Sequence, residues 1–238
     1  MLNNKSTLVL LLLIVFAANY VETAIETSMH DLSAPVSAAA VTGAYAVQQF
    51  EPKFINFEYH DVTPQPAIVA YSISYFFLFP VLALAVLIVL LRREETAPAR
   101  VLCLAVAVDY LLSLPWFLFF PVPERWAYPE SNAMLLSDLW YMQLIQGLRP
   151  ISALDNCFPS THVSLTVIMI LVCWIFDVRL RTTVTALGLT VVISTFTLGI
   201  HWLPDIIAGF FVGALSVFVG LRFTRSSEYL QQDWLHAT

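Results

Sequence analysis

Long apolar runs, separated by short polar breaks, dominate the chain. A helix that crosses a bilayer takes about 20 mostly apolar residues. Residues 67–91, 101–120, 163–176, 182–200 and 205–221 read as such spans. The third reaches a span's length only if its helix begins near Ser160. Residues 7–21 are a sixth candidate, apolar but short. The breaks are a short loop at 92–100 containing Pro98, a tight link at 177–181, a turn at 200–204 and a long loop at 121–159. Within that loop, Met134, Leu135, Leu139, Met142, Ile145 and Leu148 recur near helical spacing, with Trp140 and Tyr141 among them. This pattern predicts an amphipathic helix over 132–148, lying in the headgroup layer where aromatic side chains are at home. The expected architecture is an all-α integral membrane protein, a six-transmembrane-helix bundle. Its parts are a membrane anchor at 1–21, a polar, acidic extracytoplasmic segment at 22–66, a membrane domain at 67–222 and a cytoplasmic tail at 223–238. The segment at 22–66 holds one small-residue stretch, SAPVSAAAVTGAYAV, expected as an interfacial helix or a loose cover.

Composition agrees with the pattern. Of 238 residues, 59% are hydrophobic and 12% charged, and the mean hydropathy is +0.77. A soluble domain carries roughly twice that charged fraction. The first run has a rival reading, because Lys5 before an apolar stretch resembles a signal peptide. No small-x-small cleavage site follows, since Glu22 stands at the minus-three position to Ala24, so a retained anchor is expected. The net charge of −6 says less than the placement of the charges. With six spans and Lys5 in the cytoplasm, Arg92, Arg93, Arg100, Arg179, Arg181, Arg222 and Arg225 also fall inside. That is eight of the eleven basic residues, as the positive-inside rule expects. Only Lys53, Arg125 and Arg149 fall outside.

Two polar clusters interrupt the apolar background, and this topology puts both at the outer face. The first is Phe158-Pro159-Ser160-Thr161-His162. The second runs from Ser194 to Asp205 and reads STFTLGIHWLPD. His201 and Asp205 are four residues apart and share a face once a helix has begun; Pro204 is tolerated in a first turn. A carboxylate on one imidazole nitrogen fixes the tautomer and leaves the other nitrogen to attack. The plainer reading is a polar turn with a capping aspartate. Likewise Ser160 or Thr161 reads as a helix cap or as an anion ligand, since N–H groups at a helix start bind anions. Together the clusters suit phosphate chemistry: one histidine as nucleophile, the other as proton donor, with hydroxyls and a guanidinium on the non-bridging oxygens. Two histidines and an aspartate also suit zinc, but the aspartate spacing fits a histidine orienter, and no metal or cofactor is expected. The odd count of cysteines, Cys103, Cys157 and Cys173, with no C-x-x-C, argues against a disulfide framework or structural zinc. Asp109, near the middle of the second core span, is a functional candidate by its cost alone. The plainer reading is a helix-packing hydrogen bond.

The pair F-P-S-T-H and S-T-x5-H-x3-D, followed by Ile206-Ile207-Ala208-Gly209, resembles the type 2 phosphatidic acid phosphatase superfamily, membrane lipid phosphatases and phosphotransferases. That pattern has three parts, K-x6-R-P, P-S-G-H and S-R-x5-H-x3-D, and the resemblance covers roughly residues 67–222. The stretch Asp155-Asn156-Cys157-Phe158-Pro159-Ser160-Thr161-His162 is most similar to the branch related to inositol phosphorylceramide synthases. The resemblance implies a six-helix fold of the lipid phosphate phosphatase type. It implies His201 as the nucleophile that forms a phosphohistidine, Asp205 as its orienter and His162 as general acid, then base. Ser160 and Ser194 would contact phosphate oxygens, with Thr161 and Thr195 beside them. Thr161 stands where glycine is common, and Thr195 where the third motif has arginine. Arg149-Pro150 matches the end of the first motif, but Met142 occupies its lysine position. Arg125 in FPVPER has a spacing nearer to that motif's, so either arginine is a candidate phosphate ligand, with Arg125 preferred. The implied activity is hydrolysis of a lipid phosphate on the outer membrane face, without metal. Transfer of a phospho-headgroup to an alcohol, or an inactive lipid-binding relative, are the alternatives. A transporter has less support, for paired broken spans are absent. The expected partners are a lipid phosphate and the bilayer, not nucleic acid.

Overall fold

The computed structural model of the protein describes residues 4–29, 38–50, 64–136 and 155–236, with side chains for 4–24, 40–50, 64–136 and 155–224. Among these residues the chain is helical. The helices are α1 (Lys5–Met29), α2 (Ala38–Gln48), α3 (Gln65–Arg92), α4 (Ala97–Phe119), α5 (Thr161–Ile175), α6 (Arg181–Thr197) and α7 (Leu203–His236). Four have segments long and apolar enough to cross a bilayer: Lys5–Ala24, Gln65–Arg92, Ala97–Phe119 and Leu203–Thr224. The other two expected spans are shorter. The apolar α5 has 15 residues, about 22 Å at 1.5 Å per residue. The less apolar α6 has 17, about 26 Å, against a hydrocarbon core of about 30 Å. The first cause is Ser160, whose side-chain oxygen caps α5 by accepting from Val163 N at 3.4 Å. The second is Gly199, whose φ of 77° ends α6 in a left-handed turn. Other expected limits shift too: α1 passes unbroken through residue 21, and α7 continues beyond residue 222 to His236. Most of the helix expected at 132–148, and Arg149 with it, lies outside the described residues.

α1, α3, α4, α5, α6 and α7 pack into one bundle, in which α4 and α7 share the largest contact and α5 lies against both. The core at one end is aliphatic, with Leu82, Val86, Leu90, Leu102, Ile168, Met169 and Val172 buried together. The outer surface is apolar as well: Leu13, Phe16, Val81, Phe119, Phe211 and Phe223 all stand exposed. A surface of that kind suits lipid rather than water, which is compatible with an integral membrane protein. Lys5 Nζ donates to Arg93 O at 2.9 Å, Arg93 Nη1 donates to Phe176 O at 3.3 Å, and Arg181 pairs with Asp177. These contacts gather basic residues where α1 starts and α3 and α5 end. The two polar clusters sit at the opposite end, where α5 starts and α6 ends.

Glycine decides how closely two helices approach there. A Cβ on Gly209 of α7 would meet Ser160 O at 2.5 Å, and one on Gly213 would meet Ser164 O at the same distance. The G-x-x-x-G spacing lets the backbones of α5 and α7 touch, as small residues do in membrane bundles. Cys103 and Cys173 are free thiols in the aliphatic core. Asp109 is buried on α4 within hydrogen-bond reach of Ser164, one turn below the start of α5.

Candidate active site

Three chain segments knit together at the polar end through backbone hydrogen bonds. Val122 pairs with 155–157 as an isolated parallel bridge: Val122 N donates to Asp155 O at 2.8 Å, and Cys157 N donates to Val122 O at 2.9 Å. Arg125 N donates to Ile200 O at 2.9 Å and Trp126 N to Gly199 O at 3.0 Å. His201 N donates to Thr195 O at 3.0 Å, and Ser160 N to Asp205 O at 3.1 Å. Residues far apart in sequence are thus fixed by main chain rather than by flexible side chains. The turn between α6 and α7 needs Gly199 twice over. Its φ is left-handed, and a Cβ there would lie 2.3 Å from Met134 O.

His201 and Asp205 meet. Nδ1 of His201 lies 3.4 Å from Oδ2 of Asp205, and both residues are buried. The same Oδ2 accepts from Trp202 N at 2.9 Å. Trp202 precedes the first residue of α7 and Asp205 is the third, so this is the reach-back contact of a capping box. The capping reading and the catalytic reading of Asp205 therefore describe one oxygen. The hydrogen bond that starts α7 also holds the carboxylate against the imidazole. Trp202 is wholly buried and is held by its Nε1, which donates to Pro123 O at 3.0 Å.

His162 occupies the first turn of α5, and its ring centroid is 6.2 Å from that of His201. It is clamped by two side chains of α3 that the apolar pattern did not single out. Tyr75 stacks on it at 4.2 Å and 19°, and Phe79 lies 4.5 Å away at 43°. α3 takes a π-helical turn over Ser74–Leu78 at this point, a local widening often found beside functional sites. A π turn leaves no reliable trace in hydropathy, which explains why sequence reading passed over these residues.

The expected phosphate ligands divide. Ser160, Ser194, Thr195 and Arg125 are all buried at this end. Ser160 Oγ accepts from Val163 N, which leaves its own O–H to donate elsewhere. Ser194 Oγ donates to Val191 O at 2.6 Å and Thr195 Oγ1 to Val192 O at 2.7 Å, so both hydroxyls turn back on their own helix. Thr161 is half-buried and offers its carbonyl to Ser164 Oγ at 3.2 Å. Arg125 is 1% exposed, with its guanidinium carbon 5.5 Å from the Phe196 ring and 5.9 Å from the Trp202 ring. That puts a fixed cation next to the residue that follows His201. Cys157 lies closer to the chemistry than its place beside the first cluster suggested. Its Sγ is 3.3 Å from His201 Nδ1 and 3.4 Å from Ile200 O.

α2 covers part of this end. Ala44 and Val47 pack with Val122, Tyr128, Cys157 and Trp202, and Glu22 of α1 accepts from Asn156 Nδ2 at 3.2 Å. α2 and Glu22 of α1 thus rest on the loops that carry the site.

A buried imidazole backed by a carboxylate, a second imidazole nearby, two serines and a guanidinium thus gather at one end of the bundle. No curated protein matches the sequence, and no solved structure matches the chain. A family model does match, over residues 98–228, which takes in both polar clusters, Arg125, the whole of α5 and α6 and most of α4 and α7. More than half of the chain lies within that match, so the protein belongs to the PAP2 superfamily, whose members are phosphoric ester hydrolases or phosphotransferases.

Proposed function

We propose that this protein is a membrane lipid-phosphate phosphatase that works through a phosphohistidine at His201. The contact of His201 Nδ1 with Asp205 Oδ2, with His162 on the neighbouring helix, carries this reading. The carboxylate accepts a hydrogen bond from Nδ1–H of His201, which leaves the Nε2 lone pair for attack. Nε2 bonds to phosphorus as the P–O bond to the lipid alcohol breaks, and His162 protonates the departing oxygen. His162 then takes a proton from water, whose oxygen displaces His201 and releases inorganic phosphate. Ser160 and Arg125 hold the non-bridging oxygens, where charge-assisted hydrogen bonds are strongest, and Ser194 joins them by turning its hydroxyl away from Val191 O; Arg149 is the alternative guanidinium. The reaction needs no metal. The site faces away from the cytoplasm on this reading, since the basic ends of α1, α3 and α5 gather at the opposite end of the bundle.

A second reading, transfer of the phospho-headgroup to an alcohol, has one specific observation in its favour. Thr195 occupies the position of a family arginine and turns its hydroxyl to Val192 O. Among the described residues the site therefore holds one guanidinium, Arg125. A phosphodiester carries one negative charge and needs less neutralisation than a monoester. The likeness of residues 155–162 to inositol phosphorylceramide synthases points the same way. The test is turnover of a panel of lipid phosphates in detergent, with and without an alcohol acceptor, by wild type and His201→Ala. Release of phosphate by wild type alone supports hydrolysis, and headgroup transfer by wild type alone supports the second reading. Equal turnover by both proteins removes the nucleophile.

A further inference from the structure

Cys157 is the buried reactive group that the proposed reaction leaves unused. Its Sγ, the Nδ1 of His201 and a carboxylate oxygen of Asp205 all lie within 4.8 Å of one another. The two measured edges of this triangle are 3.3 Å for sulfur to nitrogen and 3.4 Å for nitrogen to oxygen. A tetrahedral zinc shell has Zn–S near 2.3 Å and Zn–N and Zn–O near 2.0–2.1 Å. Those bonds set the sulfur-to-nitrogen edge at about 3.5 Å and the nitrogen-to-oxygen edge at about 3.4 Å. Two of the three edges thus already match such a shell, and the sulfur-to-oxygen edge is no longer than 4.8 Å. Main chain holds each donor: Cys157 through the bridge to Val122, His201 through Thr195, Asp205 through the cap on Trp202. We infer that Cys157, His201 and Asp205 form a binding site for a thiophilic divalent cation of the zinc or cadmium type, and that its occupancy switches the enzyme off.

Proton bookkeeping gives the inhibition its form. Binding releases the Cys157 thiol proton, because thiolate is the ligand. Two negative ligands, the thiolate and the carboxylate, then balance the 2+ charge. The metal takes the Nδ1 lone pair, so the imidazole proton must sit on Nε2. That is the nitrogen whose lone pair attacks phosphorus. The cation lies behind the ring, away from the phosphate, and leaves Ser160, Ser194 and Arg125 in place. Turnover therefore falls while KM holds. The inhibitory consequence rests on the proposed role of His201; the binding site itself does not.

The test uses the full chain in detergent, titrated with cadmium and with zinc. A thiolate-to-cadmium charge-transfer band should grow to one ion per chain. It should persist in the double variant Cys103→Ala/Cys173→Ala, where Cys157 is the remaining thiol, and vanish in Cys157→Ser. Zinc should lower kcat at constant KM and be reversed by chelator. In Cys157→Ser, measured against its own metal-free turnover, half-inhibition should need more than about tenfold more zinc. Cys157→Ala serves the same purpose if the serine variant fails to run as a single species. A missing band in wild type, or one that survives removal of Cys157, overturns the site. A band that behaves as expected in a protein that turns over no phosphate ester supports the site and sinks the phosphohistidine reading instead.

Discussion

Adding one methyl group at Gly209 should disable the enzyme without unfolding it. The new Cβ would lie 2.5 Å from Ser160 O and 3.1 Å from Val163 Cβ, where ordinary contact begins at 3.4 Å. Both neighbours are rigid parts of the first turn of α5, so α7 must withdraw by about 0.9 Å. That movement separates the helix carrying Asp205, and His201 just before it, from the helix carrying Ser160 and His162. It also stretches the 3.1 Å hydrogen bond from Ser160 N to Asp205 O beyond useful length. Overpacking of this kind costs about 1–3 kcal/mol. Alanine regains about 1 kcal/mol over glycine in a helix, so net destabilisation is about 0–2 kcal/mol. The catalytic effect is larger, because a misplacement of about 1 Å can lower turnover by about 100-fold. Gly220→Ala is the control on the same helix, since its Cβ meets Val101 O at 3.0 Å far from the site. Turnover and Tm should be measured together in one detergent. Gly209→Ala with turnover within about twofold of wild type would refute the argument that the α5–α7 approach sets the distance between the histidines.

Asp205→Asn keeps one oxygen facing both Trp202 N and His201 Nδ1 but loses the negative charge behind the imidazole, so Tm should hold while kcat falls by about 10- to 150-fold, the worth of a charged hydrogen bond of about 1.5–3 kcal/mol. Arg125→Lys keeps the charge but loses the planar fork and its seat between Phe196 and Trp202. The loss of a charged hydrogen bond, about 1.5–3 kcal/mol, should appear as about 10- to 150-fold in kcat/KM; an unchanged value would remove Arg125 from the phosphate site. Tyr75→Phe preserves the stack on His162 and should leave kcat nearly intact. Tyr75→Ala removes a pair contact of about 0.5–1.5 kcal/mol and should lower kcat about three- to tenfold, so equal rates for the two would show that the clamp is idle.

Most of the architecture was legible because membrane helices write themselves into hydropathy. α3, α4 and α7 fall where their apolar runs predict them, and the limits that moved did so for local reasons. The cap at Ser160 and the left-handed turn at Gly199 set the ends of α5 and α6, and short-range chemistry of this kind shifts a boundary by a few residues without changing the run. The two polar clusters were legible too, since histidines and an aspartate at fixed spacing stand out in an apolar chain. Their chemistry was less so. The motif spacing did not reveal that one oxygen of Asp205 serves both cap and imidazole, because that requires the dihedral angles of the turn.

Linear order carries spacing within a helix, and with it apolar length, the four-residue step from His201 to Asp205 and the family pattern. Contacts between segments depend on backbone approach and are absent from any local window. Tyr75 and Phe79 reach His162 from more than eighty residues away through a π turn. Arg125 comes to the turn after α6 through a backbone bond to Ile200. Cys157 arrives at His201 because residues 155–157 pair with Val122. Gly209 and Gly213 let two helix backbones touch, and that approach brings Ser160 and His162 up to the helix that carries Asp205.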